Sequence, residues 1–400
     1  MTRVVLADRH AKPAWAGHPN VYPGAIDRVE DGEPKTGDEV DVVDQKARFI
    51  GRGVWNAEST VRVRIYRWTE GPIDAAFIGR RVADAVALRR DVLRLHERTD
   101  AYRVIHGDGD RLPGVVADRY GDWIVLQGTT RAAADRRDAI TSALMTSGDA
   151  SRPVRGVWER AATHYATAEG FHPGGGRVAG EAAPETVDVR EEGIVWRVDV
   201  HGGQKTGHFI DQRDNRVAFA ALCGGRTMLD VFSGTGGFGI AAAALGGAAS
   251  VVAVDASKAS LERVAENAAA NAVAGKVTVR AGDAFDVLRD LERTNAKFGA
   301  VSVDPPRFAA SRKELSGAVR GYHELNLRAM RLVEHGGLLA TSSCTGVLTD
   351  DEFETIVRDA AVDAHRRVQV IRRGGQGGDH PWLTAVPESR YLKHLVARVL

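Results

Sequence analysis

Residues 229–239 read LDVFSGTGGFG, an apolar run that enters a glycine-rich turn and continues into further apolar residues. That order predicts a buried strand, a tight turn and the start of a helix. Gly234 and Gly236 permit positive φ and let backbone N–H groups approach a ligand closely. Gly234, Gly236 and Gly239 also satisfy the G-x-G-x-x-G spacing of dinucleotide enzymes, and Asp255 ends the next strand where a ribose-binding acid belongs. On these residues alone, a nicotinamide dinucleotide site and a ligand-free strand–helix turn both remain open.

Working outward, the same pattern repeats. Strands are expected at TMLDVF (227–232), SVVAVD (250–255), VTVRAG (277–282), FGAVSVD (298–304) and GGLLATSS (336–343). Helices are expected over residues 238–244, 258–272, 284–291, 313–334 and 350–364. Such alternation implies an α/β fold, with a parallel sheet covered by helices on both faces. Upstream, residues 39–44, 47–55 and 59–68 alternate β-branched and aromatic residues between turn signals, which predicts a small β-barrel-like module over residues 1–70. A long amphipathic helix follows over residues 73–95. A middle α+β domain over residues 71–185 holds strands within 103–127, a helix over 132–145 and a Gly/Pro-rich loop over 172–186. The catalytic domain is expected over residues 186–400.

Composition bounds the partners. The 400 residues carry 54 Lys+Arg against 53 Asp+Glu, so any nucleic-acid contact must come from a local patch. No apolar run is long enough to span a membrane, and the first residues lack a signal-peptide pattern. Two cysteines, Cys223 and Cys344, exclude a disulfide framework and a zinc ribbon. A reducing cytoplasmic setting, no metal and no membrane partner are expected.

The acids discriminate among cofactors. Asp230, Asp255 and Asp283 close three successive strands. Three carboxylates would repel a pyrophosphate and suit a cationic ligand, S-adenosylmethionine. Asp230 is expected to meet the methionine amino group, Asp255 the ribose hydroxyls and Asp283 the adenine amino group. Phe232, Ala256 and Ala284 stand beside them. Each acid can equally cap the helix that follows it. The polar stretch over residues 201–216, with Gln204, Lys205, Thr206, His208, Asp211, Gln212 and Arg213, is expected to roof the pocket, Gln212 and Arg213 touching the cofactor.

Two loops carry chemistry. The fourth strand ends in SVDPPRFA (302–309), where Asp304, Pro305 and Pro306 form a stiff loop suited to holding a planar base, with Phe308 stacked on it. The fifth ends in LLATSSCTG (338–346), which puts Cys344 just past the strand. Carbon 5 of a pyrimidine is a poor nucleophile. A thiolate added to carbon 6 makes the ring enamine-like, able to attack a methyl sulfonium. Cys223, upstream of the first strand, is expected to be structural.

With GQKTGHFIDQRDNR (203–216), FSGTGGFG (232–239), VDPPRF (303–308), RGYHELN (320–326), SSCTG (342–346) and GDHPWLTAVPESRYLKHL (378–395) in that order, the chain resembles the PUA-domain-containing class I methyltransferases that make 5-methylcytosine in large-subunit (23S) ribosomal RNA. The resemblance covers nearly the whole chain. It implies an N-terminal PUA module that docks RNA, and a Rossmann-like domain with a seven-stranded, mostly parallel sheet. It makes Cys344 the nucleophile and Asp304 the acid that orients the base and protonates it at ring nitrogen 3. It also implies a homodimer. Related cytosine methyltransferases carry a second cysteine beside the acid; Arg307 and Phe308 stand there here, so no motif supplies the base that takes the carbon 5 proton. Uridine carbon 5, a guanine, and a non-catalytic role in ribosome assembly are the alternatives. Arg48, Arg52, Arg62 and Arg64 are the expected phosphate contacts of the N-terminal module.

Overall fold

The computed structural model describes residues 1–148, 150–202 and 208–400. These form two compact units. One comprises residues 1–187, 198–207 and 378–389, the other residues 188–197, 208–377 and 390–400.

The first unit contains two sheets. Six strands between Arg3 and Arg67 make the first, around a core of Val4, Leu6, Val40, Val42, Ile50, Val63 and Ile65. Alternation marked the strands Glu39–Val43, Phe49–Trp55 and Val63–Arg67. The helix Asp8–Trp15 and the strands Arg3–Leu6 and Ile26–Glu30 are too short to announce themselves by period. A helix Ala75–Ala87, capped by Asp74, continues as a π-helical turn Leu88–Val92 and stops at Arg94, whose backbone is left-handed. The second sheet has five strands, among them the meander Ala101–His106, Val115–Tyr120, Trp123–Gly128. The helix expected over 132–145 breaks at Arg136 into Arg131–Asp135 and Arg137–Met145. The stretch over 172–186 is not all loop: Gly176–Gly180 is an edge strand paired with Gly156–Glu159. Its glycines hid that pairing.

The second unit is a doubly wound α/β sandwich. Its elements are β1 (Thr227–Val231), α1 (Gly237–Ala244), β2 (Ser250–Asp255), α2 (Lys258–Ala270), β3 (Val277–Ala281), α3 (Ala284–Arg293), β4 (Phe298–Val303), α4 (Leu315–Leu332), β5 (Val333–Ser343), α5 (Asp350–Asp363), β6 (Val368–Gly374) and β7 (Lys393–Val399). The sheet order is β3-β2-β1-β4-β5-β7-β6. β1 to β5 pair in parallel, and β7 runs antiparallel between β5 and β6. Strands β1 and β4 lie mid-sheet and are buried except at Thr227, as strands covered on both faces must be. Side-chain caps fix three helix starts: Ser257 for α2, Asp283 for α3, and a Thr349/Glu352 capping box for α5. On α4 the buried Ala318, Tyr322, Leu325, Ala329 and Leu332 recur at helical spacing and join the core. The strand order reverses at β1/β4. Ligands of such sheets bind in the crevice at the carboxyl ends beside that reversal.

Candidate active site

The glycine turn between β1 and α1 is conformationally demanding. Phe232, Gly234 and Gly236 all have positive φ, at 59°, 53° and 91°. A Cβ on Gly236 would meet Ile240 at 2.5 Å, and one on Gly239 would sit 2.7 Å from Val251 and 3.0 Å from the Asp230 carboxylate. Gly239 is therefore glycine for packing, while Gly234 and Gly236 are glycine mainly for backbone shape. Phe232 is held in the left-handed region despite its bulk, and such positions cluster where ligands are bound.

The three acids separate into different tasks. Asp230 is 1% exposed. Its Oδ2 accepts the Gly239 N–H at 2.8 Å and its Oδ1 accepts the Ser302 hydroxyl at 2.6 Å. That second bond follows from register, since Asp230 faces Ser302 across β1 and β4. Burial pushes its pKa up to about 6, against the pull of those two bonds. An enclosed carboxylate bonded to the protein through both oxygens braces the turn. Asp255 is half-buried; its Oδ2 accepts the Gly234 N–H at 2.9 Å and its Oδ1 the Ser257 N–H at 2.9 Å, which fixes the acid against the turn. Asp283 is exposed at the end of β3, and its Oδ1 caps α3 through Phe285 and Asp286. Ala256 is exposed beside Asp255 and Ala284 is buried behind Asp283.

Two predicted cofactor contacts move. Arg213 is wholly enclosed by protein, so it does not line the crevice. Gln212, buried at the start of the helix Arg213–Ala220, donates Nε2–H to Asp304 Oδ1 at 2.8 Å and to Ser342 Oγ at 3.1 Å. Its own Oε1 accepts from Asn215 at 2.7 Å. Gln212 is a brace for Asp304. His208 and Arg216 instead form a buried group with Glu191, whose carboxylate pairs with Arg216. Burial alone would raise the Glu191 pKa, but the Arg216 charge and the His208 hydrogen bond hold it down to about 2. Gln204, Lys205 and Thr206 lie outside the described residues.

The loops after β4 and β5 come together. The Asp304 N–H reaches the Val231 carbonyl at 3.4 Å. The Cys344 Sγ lies 3.9 Å from the Pro305 carbonyl oxygen, and Cys344 is only partly buried. Thr345 joins the two loops: its Oγ1 accepts the Phe308 N–H at 3.3 Å and bonds the Tyr322 hydroxyl at 2.9 Å. Pro306 is exposed at the rim, whereas Pro305 is buried and offers only its carbonyl. Phe308, expected to stack on the base, is half-buried, 4.6 Å from the Tyr322 ring and packed on Gly321. Cys223 is fully buried and burial pushes its pKa up to about 12, an inert thiol.

Ser342, Thr345, Tyr322, Asn215 and Lys393 are functional neighbours that residue types alone did not single out. All five sit inside the ordered motifs, and only the sheet register reveals what they touch.

The crevice fits S-adenosylmethionine. The turn brings backbone N–H groups to its floor, the carboxylates of Asp255 and Asp283 stand at successive strand ends, and Ser233 Oγ is buried in the turn with no hydrogen bond among the described residues. Residues 166–371 match the family described as S-adenosylmethionine-dependent methyltransferase. The chain belongs to that family. Its cofactor is S-adenosylmethionine, and residues 4–68 match a PUA-like domain. This methyltransferase is 37% identical to the ribosomal RNA large subunit methyltransferase I of Erwinia tasmaniensis, over 100% of this chain and 99% of that protein. The protein of the same name from Salmonella arizonae is also 37% identical, with 100% and 98% covered. A SAM-dependent methyltransferase from Streptococcus mutans shares the fold at a TM-score of 0.85 and 21% identity, with both chains covered at 100%. Among the described residues no helix is long and apolar enough to cross a membrane.

Proposed function

We propose that this methyltransferase modifies carbon 5 of a cytidine in large-subunit (23S) ribosomal RNA through a covalent Cys344 adduct. The observation that carries the reading is the placement of one partly buried thiol 3.9 Å from the carbonyl of Pro305, the residue after Asp304. The names of the full-length relatives support the RNA class.

Bound S-adenosylmethionine supplies an electrophilic methyl group on a sulfonium. The Cys344 thiolate adds to carbon 6 of the base, and Asp304 protonates ring nitrogen 3, which moves the electron pair to carbon 5. Gln212 holds one Asp304 oxygen at 2.8 Å and so leaves the carboxyl group turned in a fixed direction. After carbon 5 has taken the methyl group, loss of its proton to water expels the Cys344 thiolate, and ring nitrogen 3 returns its proton to Asp304, which restores the ring. Asp255, Asp283, Phe232, Gly234, Gly236, Ala256 and Ala284 are the proposed walls of the cofactor crevice. Residues 1–70 are proposed to dock the RNA, as a module distinct from a middle domain (71–185) and the catalytic domain (186–400). A homodimer and a cytoplasmic setting accompany this reading.

The test is nucleoside mass spectrometry of ribosomal RNA from a strain lacking the gene, complemented with the wild type or Cys344→Ala. Loss of one 5-methylcytidine, restored only by the wild type, is expected. Loss of a methyluridine or methylguanosine instead overturns the base assignment. Restoration by Cys344→Ala overturns covalent catalysis. No change in any nucleoside would favour an assembly factor without activity.

A further inference from the structure

Lys393 is a lysine with 2% exposure at the start of β7, directly opposite Ser343 of β5. It has no carboxylate partner within ion-pair distance among the described residues. Its Nζ donates instead to the Thr345 carbonyl at 2.8 Å and the Tyr391 carbonyl at 2.9 Å. The first of these carbonyls belongs to the residue following Cys344. A buried ammonium costs several kcal/mol of solvation unless something offsets it. Two carbonyls supply hydrogen bonds, but neutral ones.

We propose that Lys393 is a positioning residue for the reaction: it ties down the loop that carries Cys344 and places a fixed positive charge behind the sulfur, so that the thiolate is favoured. This rests on Cys344 being the nucleophile. The thiol proton leaves to water before the attack, and Lys393 keeps its own proton throughout.

The charges around the pair set the sign. Facing Lys393 are Cys344, the Asp350 and Glu352 carboxylates at the start of α5, and Arg390 on the preceding loop. Burial lowers the Lys393 pKa to about 8, so it is charged at neutral pH. The Tyr322 hydroxyl on α4 is near enough to feel both Cys344 and the Asp304 that follows β4. Lys393, bonded to the carbonyl of the residue after Cys344, is a cation near the thiol and favours its ionised form.

The test is the pH dependence of iodoacetamide alkylation of Cys344, read by peptide mass spectrometry on the full chain without RNA. Cys223 is buried and serves as the unreactive internal control. The wild-type midpoint is expected below the ordinary thiol value of about 8.5. Lys393→Gln, which keeps a donor but no charge, and Lys393→Met should raise the midpoint by about one unit, a tenfold slower alkylation at neutral pH. Lys393→Arg should restore most of the shift. S-adenosylhomocysteine affinity should stay unchanged in all three. A folded Gln or Met variant with an unmoved midpoint overturns the proposal. If neither variant folds, a wild-type midpoint at or above that of a free thiol overturns it. Because RNA is absent, failure here leaves the nucleophile assignment standing. Conversely, methyl transfer that survives Cys344→Ala would sink the nucleophile without altering the measured charge coupling.

Discussion

The loops after β4 and β5 and the arginine-bearing strands between residues 49 and 67 use polar side chains in opposite ways. At the strand ends, Asp304 and Cys344 are held by neighbours that orient them: Gln212 on Asp304, and Thr345 and Lys393 around the cysteine loop. In the N-terminal sheet the arginines are consumed by the fold. Arg64 pairs with Glu169 at 2.8 Å, both nearly buried. Arg62 bonds the backbone carbonyls of Asn56 and Ala57 and lies over Trp55. Arg52 pairs with Asp41 at 2.8 Å. Arg48 is the exception, 65% exposed beside the exposed Trp15, although it also pairs with Asp44. Arg62 and Arg64, the expected phosphate contacts, thus carry structural bonds of their own. A motif at a strand end specifies its own surroundings, because topology dictates what stands next to it. An alternating arginine specifies only a face, and its partner can come from a hundred residues away.

The contrast can be broken most severely at Arg64. Arg64→Met leaves the Glu169 carboxylate buried without its cation, and unfolding free energy should fall by about 3 kcal/mol with RNA affinity of the folded protein unchanged. Denaturant melts check this; a selective loss of RNA binding at full stability would return Arg64 to the docking surface. Next comes Gln212→Met. Releasing Asp304 from its brace should lower kcat by about ten- to a hundredfold while S-adenosylhomocysteine affinity holds, which calorimetry separates from the cofactor role first expected of it.

A third test concerns acid. Glu191, with a pKa held at about 2 in the fold against 4.5 ordinarily, contributes stability that is fully present above about pH 4.5 and is lost as pH falls toward 2. Glu191→Gln should show a flatter stability profile across that window; an unchanged acid limb would mean the pair with Arg216 contributes nothing. The smallest effect is at Arg48. Arg48→Ala should leave the Tm unmoved, weaken RNA binding a few-fold and reduce the salt slope by about one. Equal affinity at all salt concentrations would remove the basic patch from the docking surface.

Much of the second unit was legible because its signals are local. Glycines 234 and 236, the capping acid Asp283 and the apolar strands each act within a few residues. Family motifs then supplied the order of elements. Cross-element partners stayed hidden: Ser302 beneath Asp230, Gln212 on Asp304 and Lys393 behind Thr345 are separated by tens of residues or more, and only pairing register brings them together. The packing of Phe308 stayed hidden for the same reason. Its ring looks available in sequence, yet Gly321 on α4 leaves room for it to pack.

The central claim is a bond between the sulfur of Cys344 and a pyrimidine ring. Substrate RNA carrying 5-fluorocytidine blocks the final loss from carbon 5, so enzyme and RNA should remain joined in the presence of S-adenosylmethionine. Digestion and mass spectrometry should place a methylated fluorocytidine on the peptide containing residue 344. An attachment to any other residue, or full turnover of that RNA with no trapped complex, would contradict the account.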